Sequence, residues 1–369
     1  MRKVVPVNLG ERSYDIVIAP DLMHQCHEIL QPIIRGRRLA VVTDPYLDEN
    51  CLHRFAAMFD ALSPGWKTFV VPGGESAKSF SGIEDLLNAM LEAGIDRDCV
   101  LLAFGGGVVG DVGGFAAALL MRGIDLVQIP TTLMSQVDSA VGGKNAINTP
   151  LGKNLIGTFL QPQVVLNDVT LLDSLPDEEL RAGYGEIVKY GMLRGETQFA
   201  WLESNVKKIM ARDKTALVDV IAMGVETKAM IVTEDEFDKG KRALVNLGHT
   251  FAHAFETQSG FGEFQHGYSV GVGLICAAEL SARLGHCDAS VPERVTRHLR
   301  DAGLPLALTS LSGDAQWNAD AIYRSMQHDK KTVGGNINFV LLREFGDVFV
   351  ANSIPEQTVL DTLYAVGAV

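Results

Sequence analysis

The chain has 369 residues, enough for two domains that each bury a core without a disulfide or a metal. Its formal charge of −13 argues against a nucleic acid or an anionic membrane surface as partner, so an anionic substrate would need a local basic cluster. No apolar run is long enough for a membrane span. Five cysteines without a CxxC pair, and no signal-peptide pattern, are typical of a cytoplasmic protein.

Short apolar runs alternate with amphipathic stretches in the first half of the chain. Strands are predicted at 14–18, 39–43, 67–71, 99–104, 126–130 and 164–167, with helices at 79–93 and 108–121. This alternation predicts a Rossmann-like α/β domain with a mainly parallel sheet. Such sheets bind ligands beyond the carboxyl ends of their strands.

The pattern changes near residue 175. Helical spacing of apolar residues follows over 178–192, 196–210, 215–232, 244–256, 269–284 and 292–302, and strand-like runs occur at 337–342 and 348–350. We therefore predict an α/β domain over residues 1–175. A mainly α-helical domain is predicted over residues 176–369.

Two glycine-rich turns follow predicted strands. Gly105, Gly107 and Gly110 match the GxGxxG pattern between a strand and a helix, where backbone N–H groups can approach a pyrophosphate. Tight packing of the helix against the strand is the alternative explanation for these glycines. The second turn, residues 72–78, follows the strand at 67–71. Two such turns at one sheet edge favour a dinucleotide site.

The acid that binds the ribose of a dinucleotide belongs at the carboxyl end of a strand. Asp125 has the expected spacing of about 20 residues after the glycines, but it precedes the strand at 126–130. Asp44 directly follows the strand at 39–43 and is the better candidate.

Residues 131–158 form a polar stretch that includes Lys144, Lys153 and Asn154. In an acidic protein, such a basic and amide-rich stretch suits a phosphate-bearing substrate. A solvated surface loop is the alternative.

Titratable side chains with helical spacing occur in the second half. Glu186 and Lys189 share one helix face, which a surface ion pair would also explain. His249 and His253 lie at i, i+4, and His266 follows thirteen residues later. One carboxylate with two imidazoles is a usual catalytic zinc set, although such histidines can also be structural.

Short motifs follow one another in a fixed order along nearly the whole chain. They are Pro72-Gly73-Gly74-Glu75 with Lys78, Gly105 to Asp111, Arg122-Gly123, Gln128 to Leu133, Asp138-Ser139, Gly142-Gly143-Lys144, Gly152-Lys153-Asn154, Ala182-Gly183 with Glu186 and Lys189, Asn246 to Thr250, His253, His266-Gly267 and Asp329-Lys330-Lys331. In this order they resemble the 3-dehydroquinate synthase family of sugar-phosphate cyclases.

The resemblance implies NAD on the α/β half and one divalent metal, zinc or cobalt, between the halves. The family's metal ligands fall on Glu186, His249 and His266. Its nucleotide contacts fall on Asp44, Gly73, Gly74, Glu75, Lys78, Gly106, Gly107, Val108, Val109, Gly110, Asp111, Thr131, Thr132, Lys144, Lys153, Leu171 and Ser174. Its substrate and catalytic contacts fall on Arg122, Asp138, Lys144, Asn154, Lys189, Lys228, Arg242, Asn246, His253 and one of Lys330 and Lys331.

The sequence departs from the family in one motif. The family usually has a glutamate at the position of Asp238 and a charged residue at that of Phe237. Asp238 is therefore a candidate catalytic residue, and whether it takes the general-base role sometimes assigned to that glutamate stays open.

The implied reaction converts 3-deoxy-D-arabino-heptulosonate 7-phosphate, a small phosphorylated sugar acid, to 3-dehydroquinate and phosphate in the shikimate pathway of aromatic amino-acid biosynthesis. It combines transient oxidation by NAD, elimination of phosphate, re-reduction and aldol closure, with no net redox change. The metal would lower a hydroxyl pKa and polarise the ketone. The resemblance also suggests a homodimer.

Three alternatives compete with this reading. A metal-dependent polyol dehydrogenase shares the two-half plan, but it needs no phosphate cradle. Lys144, Lys153, Asn154 and Arg242 together therefore count against it. A sister cyclase of the deoxy-inosose or valiolone type acts on another sugar phosphate, whereas Arg242 and Lys228 suit a substrate carboxylate. A non-catalytic nucleotide-binding module would leave the metal-ligand set without a purpose.

Overall fold

The computed structural model describes residues 1–150, 152–238, 240–260, 262–312, 315–327 and 337–369. They form two compact units, the first from Met1–Leu175 with Leu217–Phe237 and the second from Pro176–Ala216 with Asp238–Val369. Residues 217–237, which we predicted in the second domain, belong to the first of these units. Helical periodicity identifies an apolar helix face, but it does not say which core receives that face.

Strands and helices alternate through the first unit. They are β1 (Lys3–Val7), β2 (Tyr14–Ala19), α1 (His27–Ile34), β3 (Arg38–Thr43), α2 (Pro45–Asn50), α3 (Ala56–Leu62), β4 (Lys67–Val70), α4 (Phe80–Glu92), β5 (Cys99–Gly105), α5 (Gly107–Leu119), β6 (Asp125–Pro130), β7 (Lys144–Thr149), β8 (Gly152–Phe159) and β9 (Val164–Asp168). Seven strands form one sheet in the order β1-β2-β9-β6-β5-β3-β4. All neighbours are parallel except β1 and β2. The predicted α/β fold is confirmed.

Both faces of this sheet are covered. Along β5, Val100, Leu102 and Phe104 belong to one apolar cluster with side chains of α1 and α3. Leu101 and Ala103 belong to a second cluster with side chains of α4 and α5. Because alternate side chains enter two cores, the strand reads as a continuous apolar run in the sequence.

The polar stretch at 131–158 contains a hairpin. Strands β7 and β8 pair antiparallel outside the main sheet. Asn145 and Ile147 are buried while Lys144 is exposed, so the strand has the two-residue period of a half-buried sheet. Describing this stretch as a solvated loop is therefore wrong, because polar side chains on the open face concealed the strand pattern.

The second unit is mainly helical. Its elements are α6 (Asp177–Arg194), α7 (Glu196–Met210), α9 (His249–Ser259), α10 (His266–Arg283), α11 (Ser290–Asp301), α12 (Ala319–Gln327), β10 (Phe339–Glu344), β11 (Asp347–Ala351) and α13 (Glu356–Ala365). Helix α8 (Lys214–Glu234) begins in this unit and continues into the first. No helix in the described ranges is long and apolar enough to cross a membrane.

The helix predicted at 244–256 begins later than expected. A 3-10 helix, Lys241–Asn246, precedes α9, and Gly248 between them has a φ of +79°. A Cβ at Gly248 would lie 2.9 Å from the backbone nitrogen of Leu274. Glycine therefore allows the sharp entry that makes His249 the first residue of α9.

Candidate active site

The predicted nucleotide contacts of the first unit gather at one sheet edge. Asp44 follows β3, Gly73 follows β4, Gly106 follows β5 and Thr131 follows β6. Because these strands are parallel, their carboxyl ends lie on the same edge. Leu171 and Ser174 belong to the 3-10 helix Val169–Ser174 that follows β9, so they lie at this edge as well.

Asp125 lies at the opposite edge, as its position before a strand indicated. It is the first residue of β6, and its Oδ2 is 2.7 Å from Nη1 of Arg37. Asp44 caps α2, with Oδ1 accepting a hydrogen bond from the backbone N–H of Leu47 at 3.0 Å.

The glycines around α5 allow other groups to come close to the backbone in two ways. The helix begins at Gly107 after the N-cap Gly106, and no side chain caps its first N–H groups. Further along, a Cβ at Gly114 would lie 1.8 Å from Oδ1 of Asn145. Tight packing therefore accounts for Gly114, and also for Gly105 of the GxGxxG pattern, because a Cβ there would lie 2.5 Å from Cβ of Val109. The backbone N–H groups of the first turn nevertheless lie at the ligand edge.

A buried lysine, Lys78, connects the second glycine turn to α5 and β8. Nζ of Lys78 donates to Oδ2 of Asp111 on α5 at 2.5 Å and to Oδ1 of Asn154 on β8 at 2.6 Å. Burial raises the pKa of Asp111, and the Lys78 ammonium opposes that rise. Glu75 of the same turn accepts from Nδ2 of Asn148 at 2.6 Å. Predicted nucleotide and substrate residues are thus brought together here.

Helix α8 supplies a second buried cation to the first unit. Nζ of Lys228 donates to the backbone oxygen of Asp138 at 2.5 Å and lies 3.1 Å from its Oδ1. Asp138 belongs to a π-helical turn, Ser135–Ser139. Lys144 is exposed on β7, and Arg122 is exposed with a φ of +68°.

A buried group of potential metal ligands lies in the second unit. Oε1 of Glu186 on α6 is 3.4 Å from Nε2 of His249 and 3.5 Å from Nε2 of His266. One ligand atom from each residue lies within 4.8 Å of the other two. One carboxylate and two imidazoles are a donor set that suits zinc or cobalt.

Lys189 pairs with the other oxygen of Glu186, and both side chains are almost completely buried. The surface ion pair considered from the sequence is therefore wrong, because packing around α6 covers both groups. His253 lies beside this group rather than in it. Its ring centroid is 5.6 Å from that of His249 and 6.1 Å from that of His266.

Charges at this site depend on burial and on close partners. Burial alone would raise the pKa of Glu186, but Lys189 and His249 outweigh it and hold that pKa well below its usual range. Burial lowers the pKa of His249 to about 4. Burial also disfavours a charged His266, yet Glu256 and Glu186 raise its pKa to about 10. Glu186 is therefore anionic and His249 neutral at pH 7.

Hydrogen bonds to Nδ1 orient both imidazoles. Nδ1–H of His249 donates to the backbone oxygen of Leu247 at 3.1 Å, and Nδ1–H of His266 donates to Oε1 of Glu256 at 2.6 Å. Nε2 of each ring is therefore the nitrogen that lies near Glu186, and a cation that binds there takes the place of the proton on His266. The sequence analysis missed Glu256, although it follows His249 by seven residues and so shares its helix face.

The remaining predicted residues of the second unit that the structure describes lie on the segment before α9. Arg242 is only 2% exposed within the 3-10 helix Lys241–Asn246, and Nδ2 of Asn246 donates to the backbone oxygen of Ala243 at 3.1 Å. Asp238 is exposed with a φ of +57°. Lys330 and Lys331 lie outside the described residues.

Two family models match consecutive parts of the chain. The model described as 3-dehydroquinate synthase N-terminal matches residues 68–182, and the one described as 3-dehydroquinate synthase C-terminal matches residues 183–332. A 3-dehydroquinate synthase of Caulobacter vibrioides is 46% identical over 100% of both chains. One of Rhodospirillum rubrum is 45% identical over 99% of this chain and 95% of its own.

Solved structures share the fold. A 2-deoxy-scyllo-inosose synthase complexed with carbaglucose-6-phosphate, NAD⁺ and Co²⁺ has a TM-score of 0.87 at 23% identity, covering 99% of this chain and 100% of its own. The 2-epi-5-epi-valiolone synthase of Streptomyces hygroscopicus, with NAD⁺ and Zn²⁺ bound, has a TM-score of 0.84 at 25% identity, covering 97% and 98%. From these matches, the chain is an enzyme that belongs to the 3-dehydroquinate synthase family.

Proposed function

We propose that this enzyme is a carbon–oxygen lyase that converts 3-deoxy-D-arabino-heptulosonate 7-phosphate to 3-dehydroquinate and phosphate in the shikimate pathway. The observation that carries the proposal is the group of Glu186, His249 and His266, in a chain 46% identical to a 3-dehydroquinate synthase over its whole length. A lone nucleotide-binding module would have no use for this group.

The enzyme uses NAD and one divalent metal ion, zinc or cobalt. When bound, NAD accepts and returns one hydride, and the metal ion acts as a Lewis acid on neighbouring substrate oxygens. Backbone N–H groups at Gly106 and Gly107, with Lys78 and Asp44 at the same sheet edge, hold the nucleotide. The bound cofactors of the two solved cyclases support this assignment.

Cationic side chains hold the anionic groups of the substrate. Lys144, Lys153 and Asn154 on the hairpin bind the phosphate. Asp138 holds the ammonium group of Lys228 through their ion pair. Arg242 binds the carboxylate, because its planar guanidinium can donate two parallel hydrogen bonds.

Two side chains close to the metal ligands have different roles: one keeps a ligand ionised and the other transfers a proton. Lys189 stays paired with Glu186 and keeps that carboxylate ionised. His253 hydrogen-bonds a substrate oxygen and moves a proton at its imidazole, since its ring lies beside those of His249 and His266.

Phosphate release measured with catalytic NAD tests this proposal. The heptulosonate phosphate should give many turnovers per NAD without lasting NADH absorbance, chelation should stop the reaction, and Zn²⁺ or Co²⁺ should restore it. A hexose 6-phosphate serves as the control and should release no phosphate. NADH that accumulates in step with product would instead identify a dehydrogenase, and turnover of the control would identify a sister cyclase.

The substitution Arg242→Ala tests the choice between cyclases. It should raise KM for the carboxylate-bearing substrate by roughly 10-fold to 150-fold, equivalent to about 1.5–3 kcal/mol. Binding of NAD, measured by fluorescence titration, should not change. Equal weakening of both ligands would show that the buried Arg242 acts through folding instead.

A homodimer and a cytoplasmic location stay predictions. Sedimentation of the purified enzyme would test the first, and cell fractionation would test the second.

A further inference from the structure

Glu256 is a buried carboxylate to which the proposed function assigns no role. It lies on α9 with 4% of its surface exposed. Its Oε1 accepts from Nδ1 of His266 at 2.6 Å and from Oγ of Ser269 at 2.9 Å. Both donors belong to α10, so this one oxygen connects two helices that each carry a candidate metal ligand.

The two candidate ligand histidines are held by different means. His249 is oriented by the backbone oxygen of Leu247, only two residues away, as part of the entry to α9. His266 is the first residue of α10, and its side chain is about one third exposed. Its Nδ1 bond goes to Glu256, ten residues earlier on another helix. The orientation of His266 therefore depends on a side chain, whereas that of His249 depends on the backbone.

This difference matters because an imidazole has two nitrogens. His266 can offer Nε2 to a cation only when the proton is on Nδ1 and the ring is turned towards Glu186. An acceptor at Nδ1 selects both that tautomer and that ring orientation. Ser269 in turn restrains the carboxylate, since its Oγ donates to the same oxygen.

Glu256 does not take the place of a ligand. The group of described residues whose ligand atoms lie within 4.8 Å of one another is Glu186, His249 and His266, without Glu256. Oε1 of Glu256 bonds the ring nitrogen opposite the one that lies near Glu186.

We propose that Glu256 is a positioning residue for the divalent metal, which acts by accepting the Nδ1–H of His266 and so directing Nε2 of that ring to the ion. Ser269 assists by fixing the carboxylate. This inference rests on the proposed metal site and adds a residue that does not touch the ion.

Zn²⁺ affinity of the metal-free protein, measured by competition with a chelator, tests this role. Glu256→Ala should weaken Zn²⁺ binding by about 10-fold to 100-fold. Glu256→Gln retains an acceptor oxygen and should lose less, so the conservative variant partly restores binding. Glu263→Gln removes an exposed acid from the same segment and is the matched control, with wild-type affinity expected.

Melting temperatures separate positioning from a purely structural role. At a fixed Zn²⁺ concentration, the rise in melting temperature that the ion gives should be smaller in Glu256→Ala than in the wild type, in addition to any fall in the metal-free melting temperature. Should Glu256→Ala fail to fold, Ser269→Ala takes its place, with a smaller loss of affinity expected.

Two results would overturn the inference. One is unchanged Zn²⁺ affinity in a folded Glu256→Ala or, in its place, Ser269→Ala protein. The other is an equal fall in the metal-free and metal-loaded melting temperatures at unchanged affinity. Failure of the proposed metal site would look different, because His249→Ala would then bind Zn²⁺ as tightly as the wild type.

Discussion

The nucleotide edge of the first unit, where β3 to β6 end, consists mainly of backbone turns. The ligand group of the second unit, Glu186, His249 and His266, consists of charged and polar side chains. At the nucleotide edge, the predicted contacts are turns after parallel strands, and residues 72–76 are exposed. In the ligand group, Glu186, Lys189 and His249 are buried, with charges held by one another. Backbone geometry therefore limits what can change at the nucleotide edge, whereas in the ligand group each side chain is needed to balance the others.

The largest expected effect is the loss of bound metal when a ligand histidine is removed, while NAD binding to the first unit persists. His249→Ala and His266→Ala each leave only two protein ligands, so bound zinc should be mostly lost and turnover should fall about 1000-fold or more. NAD binding at the other unit should persist. His253→Ala should keep its zinc and NAD and lose turnover only.

Elemental analysis of the three purified variants measures their zinc content, and titration measures their NAD binding. Circular dichroism checks that each variant is folded. A folded His253→Ala protein without zinc would return His249 and His253 to a joint chelate and contradict the site described above.

The Lys78–Asp111 ion pair of the first unit tests this contrast, because it is a paired charge at the nucleotide edge. Lys78→Ala leaves Asp111 buried without its cation, so the free energy of unfolding should fall by about 3–5 kcal/mol, with weaker NAD binding. Lys67→Ala is the control, because among the described residues its exposed ammonium donates only to the backbone oxygen of Ala93. Urea denaturation measures both. If Lys78→Ala cost no more than the control, the nucleotide edge would not depend on the Lys78–Asp111 ion pair.

Burial of titratable groups in the second unit extends beyond the ligand group. Burial lowers the pKa of His298 to about 4, below the value of about 6.5 in an unfolded chain. Between these values the unfolded state binds a proton that the folded state does not. The free energy of unfolding should therefore fall by about 3 kcal/mol as the pH drops from 6.5 to 4, and this contribution should be constant below pH 4.

Denaturation curves of wild type and His298→Gln across that range isolate this contribution, since the variant lacks the titrating group. Tyr184 hydrogen-bonds His298 at 3.0 Å, so the variant should be less stable at pH 7 but less sensitive to acid. Parallel pH profiles for the two proteins would show that other groups cause the acid sensitivity.

The smallest expected effect concerns two adjacent glycines of the nucleotide edge. Gly74 has a φ of +80°, whereas Gly73 has no positive φ, and a Cβ on either would meet no other atom within 4 Å. Gly74→Ala should lower the free energy of unfolding by about 1–3 kcal/mol through backbone strain alone. Gly73→Ala should cost much less. Equal costs in thermal denaturation would mean that backbone geometry does not limit this turn.

Much of this protein follows from local patterns. The strands at 39–43, 99–104 and 126–130 could be predicted because apolar runs between turns report strand length and burial. Asp44 could be placed at the ligand edge and Asp125 away from it, because parallel topology determines the edge at which each strand ends. These properties depend on neighbours in the chain.

Other properties were decided only by tertiary packing. The sequence could not show that 217–237 packs with the first unit, that Glu186 and Lys189 are buried, or that Glu256 orients His266. In each case the residues that pack against the group lie on another element, and the same helical period fits a face exposed to solvent or a buried one. Local periodicity determined which segments are helices and strands, whereas their mutual packing determined which charges lose water and which donors meet.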